Sequence, residues 1–313
     1  MIGTTSGTAI ARQKQKVRLR GNNLQLHLML LPEVILVLIF CYIPMYGIVL
    51  AFQNFQPVKG LFGSQEWVGL SHFIYAFRIP DTLQIVKNTV FIASLKIILS
   101  LLVPIFFAIL LNEVVSKPLK TTFQTIVYLP YFLSWVLLGG ILIDILSLSG
   151  LINTLISSLG IKPVYFLGEP AVFPWTVILS DIWKNFGYGT IVYVAAITNI
   201  NPELYEVAEL DGANWRQRTW HITVPGIRAI VILMATLSIG GILNAGFEQI
   251  YMLYSPQVYS TGDIIDTFVY RMGLLGGQYS FSTAVGLMKS FVSFILIGIT
   301  YYFSYKFNDY RIF

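Results

Sequence analysis

Residues 199–225 read Asn-Ile-Asn-Pro-Glu-Leu-Tyr-Glu-Val-Ala-Glu-Leu-Asp-Gly-Ala-Asn-Trp-Arg-Gln-Arg-Thr-Trp-His-Ile-Thr-Val-Pro. Asn201 has the side chain of a good N-cap, and Pro202 suits a first helical position. Glu203, Glu206 and Glu209 follow at a spacing of three. Carboxylates near a helix N-terminus complement its dipole. Gly212 supplies the left-handed residue that ends a helix. The stretch therefore predicts a short acidic helix over 202–211. A second segment, 214–221, carries Arg216 and Arg218 and leads to Pro225. A helix this short is marginal alone in water and must dock on something. Two readings fit: it packs on the ends of its own bundle, or it docks on a partner.

Outward from this loop the chain is apolar. Of 313 residues, 56% are hydrophobic and 11% charged, and the mean hydropathy is +0.71. Soluble domains carry about 25% charged residues, so this composition excludes an ordinary soluble enzyme, a disordered chain and a nucleic-acid-binding domain. Six stretches of about 20 or more mostly apolar residues qualify as membrane spans. They lie at 28–52, 88–112, 121–146, 174–198, 223–245 and 283–305. The first runs through Ile43-Pro44-Met45-Tyr46 with no small-residue cleavage site, so it reads as a span and not as a cleaved signal.

Basic residues set the orientation. With the N-terminus cytoplasmic, inside segments hold twelve Lys and Arg: Arg12, Lys14, Lys16, Arg18, Arg20, Lys117, Lys120, Arg216, Arg218, Arg228, Lys306 and Arg311. Outside segments hold five, namely Lys59, Arg78, Lys87, Lys162 and Arg271. Both termini are therefore expected in the cytoplasm. The basic tail 1–27 reads as a topogenic and lipid-headgroup segment, with no nucleic-acid role. Residues 53–87 form an extracytoplasmic loop in which Trp67 to Phe77 suggests a short interfacial helix. Segments 147–173 and 246–282 are further outside loops, and 306–313 is a cytoplasmic tail. Cys41 lies in an apolar run and reads as a small hydrophobe.

The order of residues in the 199–225 loop resembles the EAA loop of binding-protein-dependent ABC importer permeases. In Glu206-Val207-Ala208, three residues then Gly212, nine residues then Ile222, and Val224-Pro225 after one more, only Val207 and Val224 depart from the family pattern. Both departures stay apolar. Leu30-Leu31-Pro32, Tyr42 to Gly47, Leu129-Pro130-Tyr131-Phe132 and the tail Asp309 to Phe313 are similar to the sugar branch of that family. The resemblance implies an all-α polytopic membrane protein with six transmembrane helices in a type I (MetI-like) bundle. Five of those helices, over 88–305, would form the permease core. It implies the permease subunit of an importer for an oligosaccharide or polysaccharide fragment in a bacterial cytoplasmic membrane. Implied partners are a second homologous permease, two cytoplasmic ABC ATPases and an extracytoplasmic solute-binding protein. Glu206, Ala208, Asp211 and Gly212 would belong to the element that docks on the ATPase. No GxxxxGK[S/T] and no Gly-Lys pair occur in the chain, so ATP and Mg are expected on the ATPase subunits. Neither catalysis nor a resident cofactor is expected here.

Ionisable residues inside spans are costly and are candidate functional groups. Asp181 and Lys184 share one face of the fourth span and are expected to pair, either structurally or along a solute path. Trp183, Asn185 and Tyr188 add the planar polar and aromatic groups that bind sugars. At the end of the fifth span, Asn244, Glu248 and Gln249 follow Gly240-Gly241; they face a cavity or belong to close packing and an outer loop. Lys96 and Lys289 can meet the partner permease or an acidic sugar. His27, His72 and His221 are scattered, and no metal site is expected. An ion-coupled transporter would favour inverted repeats, which the chain lacks. A membrane enzyme would need an acidic or histidine cluster at one face. A permease for a non-sugar solute remains the alternative within the family.

Overall fold

The computed structural model describes residues 23–308, so most of the basic tail and the last five residues lie outside it. The chain is helical almost throughout and divides into two compact units that meet in sequence at Gly47 and Ile48. In the first, the Asn23–Val37 helix passes through Pro32 into a π turn, Leu38–Tyr42. Its large apolar side chains from Leu28 to Tyr46 are all exposed. Such a surface is stable only against hydrocarbon or another apolar surface.

The second unit is built on the Thr82–Glu113 and Phe173–Thr198 helices, which pack along one another. Small residues set their approach. A Cβ at Gly189 would come within 2.9 Å of Pro104 Cγ, and Ala93 and Ala108 are fully buried. Ile92, Ala93, Phe173, Val177 and Ile178 form the main core with Ala245, Ile250, Leu253, Val258 and Ile264. A second core, of Ala108, Tyr193, Ile197 and Ile227, lies further along the same helix pair.

Five helical stretches among the described residues combine the length and apolarity of a span: His27–Phe52, Thr82–Glu113, Trp135–Ser158, Trp215–Ile239 and Tyr279–Tyr302. The expected fourth span is present as a 26-residue helix, long enough to cross, but Asp181, Lys184 and Asn185 make its middle more polar. The expected third span, 121–146, is not one helix. It breaks into Lys117–Tyr128, a 3-10 turn at Leu129–Phe132 and Trp135–Leu146. Pro130 has no N–H to continue the ladder, and Ser134 restarts the helix by accepting from Leu137 N at 3.3 Å. The fifth span ends at Ile239 instead of 245, because Gly240-Gly241 opens a run of turns.

Segment 246–282, expected as an outside loop, is not a loose one. Helices at Phe247–Leu253 and Ile265–Tyr270 fold it into the cores. The interfacial helix forms at Ser71–Arg78 and shares a core with Phe281 through Ala76. A two-residue antiparallel ladder pairs Gln53 with Trp67 and Asn54 with Glu66, a feature the all-helical reading omits.

Candidate functional site

The acidic helix occupies Pro202–Leu210 and is closed at both ends by its own sequence. Asn201 Oδ1 accepts from Glu203 N at 3.1 Å, a cap worth about 1 kcal/mol. At the other end Gly212 takes φ +77°. Gly212 N donates to Glu209 O at 3.0 Å and Ala213 N to Ala208 O at 2.9 Å, the paired bonds of a Schellman stop. Glu206, Asp211 and Gly212 are exposed, and Ala208 is half-buried. Leu204, Val207 and Leu210 leave an apolar stripe uncovered, with Leu210 88% exposed. The helix is held to its own chain by few polar ties. Tyr205 Oη and Thr223 Oγ1 lie 2.9 Å apart, and Arg218 Nη1 donates to Glu209 at 3.1 Å.

The next segment starts with a capping box between Asn214 and Gln217. Trp215–Arg218 runs through a π turn, Thr219–Thr223, straight into the Val224–Ile239 helix. The second segment and the fifth span, read separately from the sequence, are thus one continuous stretch past Pro225. A π turn directly before a proline moves the carbonyls that its ring would strike and takes up the missing donor.

Asp181 does not pair with Lys184. It pairs with Lys96 across the helix interface at 3.4 Å. Lys96 Nζ also donates to Ala245 O at 2.7 Å and to Gln249 Oε1 at 2.5 Å. Gln249 Nε2 in turn donates to Val177 O at 2.7 Å and Ser180 Oγ at 2.9 Å. Gln249 is fully buried. With both ends of its amide engaged, it is a packing residue and not a cavity-facing one in this conformation. Asn244 and Glu248, in contrast, are exposed. Burying a charged pair is tolerated only when the remaining donors and acceptors are met, and here the Ala245 carbonyl and the Gln249 amide meet them.

Lys184 has different surroundings. Its Nζ donates to Tyr131 O at 3.0 Å and lies 5.3 Å from the Tyr131 ring centre and 5.5 Å from that of Trp135. Tyr188 stacks on Tyr131 at 4.4 Å and 8°, and half of its surface is exposed. Gly187 makes this meeting of elements possible, since a Cβ there would strike the Val127 carbonyl. Trp183 does not join the group. At 3.6 residues per turn it lies on the far side of the helix from Asp181 and Asn185, in an exposed stripe with Trp175 and Leu179. Tyr131 and Trp135, which the sequence did not single out, complete the cluster; the Leu-Pro-Tyr-Phe run at the helix break was the available signal.

The remaining ionic contacts lie toward the 246–282 segment. Asp266 pairs with Lys289 at 2.5 Å. Asp263 holds Arg271 through two bonds and accepts from Thr267 Oγ1 at 2.7 Å. Burial first, and then neighbouring Tyr259, pushes the nearby Tyr254 hydroxyl up to about 12.

A chain of crossing helices with a capped acidic peg between two of them is the architecture of an importer permease. Residues 82–309 match the family described as the binding-protein-dependent transport system inner membrane component, and the chain belongs to it. It is a multi-pass transport component with the type I ABC importer permease fold. It is 42% identical over 285 residues to the polygalacturonan/rhamnogalacturonan transport system permease protein YteP of Bacillus subtilis (strain 168), covering 91% of this chain and 88% of that one. The arabinooligosaccharides transport system permease protein AraP of the same organism is 27% identical, over 85% and 83%. Among solved structures, a bacterial ABC transporter involved in the import of the acidic polysaccharide alginate has a chain 38% identical, with TM-score 0.84, covering 92% of this chain and 97% of that one. The same kind of transporter in complex with an alginate pentasaccharide-bound periplasmic protein matches at TM-score 0.85 and 37% identity, over 93% and 97%.

Proposed function

We propose that this chain is one of two permease subunits in an ATP-driven importer of oligosaccharides or polysaccharide fragments. It crosses a bacterial cytoplasmic membrane six times with both termini inside. A homologous permease completes the path, two ABC ATPases bind ATP and Mg, and an extracytoplasmic protein delivers the sugar. The chain itself performs no catalysis and holds no cofactor. The observation that carries the reading is the Pro202–Leu210 helix: capped at both ends, with its Leu204, Val207 and Leu210 stripe left open. An apolar stripe rimmed by Glu203, Glu206 and Glu209 fits a groove with basic edges on another polypeptide. ATP binding can move the permease only through contacts that differ between its two states, and this peg is where such contacts can form. Saccharide as the cargo is supported by the names of the relatives and by the Tyr131–Tyr188 stack, in which the half-exposed Tyr188 offers a flat surface suited to a pyranose ring.

The test is a cross-link and a flux. In a Cys41→Ser background, Leu210→Cys should cross-link to the ATPase subunit when the membrane complex is treated with a short bifunctional reagent. The same complex in liposomes should take up labelled oligosaccharide only with ATP inside and binding protein outside. Cross-linking confined to the chain itself would remove the coupling assignment.

A further inference from the structure

Lys184 lies near the middle of its helix, eleven residues after Phe173 and fourteen before Thr198. It is buried, and no carboxylate stands within ion-pair distance. The aspartate one turn earlier, Asp181, is committed to Lys96. Lys289, on another spanning helix, has Asp266. Among the described residues, Lys184 is therefore the buried lysine of a spanning helix that has no acidic partner; Lys87 also lacks one but is exposed. An ammonium has three donors. One goes to the Tyr131 carbonyl; the rings of Tyr131 and Trp135 attract the charge without neutralising it. An uncompensated cation within an apolar layer is expensive and marks a functional group. A ligand can supply the missing counter-ion.

We infer that Lys184 reads a carboxylate on the transported solute, so that the cargo is an acidic sugar chain of the uronate type. The inference rests on the saccharide reading above and adds the charge of the substrate. The neighbouring Tyr131–Tyr188 stack takes the apolar face of the ring, and Lys184 supplies the two N–H donors that remain. Charge-assisted bonds of this kind strengthen as water is excluded. The ammonium is enclosed in the present conformation. Tyr131 and Trp135 flank the extended residues Leu133 and Ser134, between two helical pieces. Rotation at this joint uncovers the Nζ as the path opens.

The experiment uses the whole importer in liposomes, with its binding protein. The probes are oligogalacturonate and alginate trimers, each beside its carboxyl-reduced form. Lys184→Met keeps the apolar stem and removes the charge. It should raise the half-saturating concentration of the acidic trimer about tenfold or more and leave that of a reduced trimer within about twofold. Lys184→Arg should retain the preference for the acidic form. If Lys184→Met shifts acidic and reduced trimers alike, or neither, the carboxylate role is overturned while saccharide import stands. Import of neutral trimers alone by the wild type has the same meaning. Import of no trimer in either form overturns the saccharide reading, and this inference with it. Should the methionine variant fail to assemble, Lys184→Gln is held to the same criteria.

Discussion

Lys96 on the Thr82–Glu113 helix and Asp181 on the Phe173–Thr198 helix face each other at 3.4 Å in the interior of the helix pair. Around them Gln249 and the Ala245 carbonyl come from the segment after the Trp215–Ile239 helix. One ammonium thus ties three parts of the chain together. Loss of one member of such a pair leaves a buried charge unmet, which is far worse than loss of both.

Lys96→Met should therefore destabilise the solubilised protein by an amount on the order of 3 kcal/mol. Asp181→Leu alone should do the same. The double variant should cost much less than the sum of the two. Thermal unfolding in detergent, arranged as a double-mutant cycle, reads this coupling. Strict additivity would mean that the pair is not an energetic unit.

Gly212→Asp should insert normally yet abolish uptake, and ATP hydrolysis should no longer respond to loaded binding protein. Nothing lies within 4 Å of a Cβ built at Gly212, so the cost is the φ of +77°, about 1–2 kcal/mol for a side chain in the left-handed region. Asn and Asp both visit that region, so Gly212→Asn, which adds no charge to the docking face, should recover much of the flux. Normal uptake by the aspartate variant would remove the coupling role.

Tyr188→Ala and Asn185→Ala should weaken transport without disturbing assembly. Tyr188 is half exposed, and loss of its stack on Tyr131 forfeits about 0.5–1.5 kcal/mol beyond area. Size-exclusion profiles should match wild type while uptake at low sugar concentration falls. Unchanged kinetics in both variants would exclude this surface from the path.

Tyr254 supplies a pH dependence. Its folded-state pKa is raised from 10.0 to about 12, by burial first. The folded state therefore holds this proton more tightly than the unfolded chain. The associated stability is complete below pH 10 and is lost as pH rises through about 12. Tyr254→Phe should flatten this part of the alkaline unfolding curve. An unaltered curve would show that the hydroxyl contributes nothing to alkaline unfolding.

The acidic helix was legible because its signals act within a dozen residues: Asn201 and Pro202 start it, and Gly212 stops it. The spans were legible from apolar length. The break at Pro130 was harder to see, since a hydropathy run counts side chains and is blind to one absent N–H. The partner of Asp181 was beyond sequence reach. Local spacing favoured Lys184, one turn away, and only the packing of two distant helices brings Lys96 closer. The 246–282 segment looked like a loop because its helices are short and its apolar residues are interrupted by Gly and Pro. Its order comes from burial of Ile250, Val258 and Ile264 against helices formed elsewhere.

The unbroken passage from Trp215 to Ile239 has a mechanical side. At 1.5 Å of rise per residue it is a rod of roughly 36 Å, with its Trp215 end beside the peg and its Ile239 end leading through turns to Ala245 and Gln249, which hold Lys96. Its π turn at Thr219–Thr223 and Pro225 sit close to the peg, and the longer stretch beyond them is regular helix. A tilt at its Trp215 end would reach the turns that lead to Ala245 and Gln249, so the peg and the lysine clasp share one stretch of backbone.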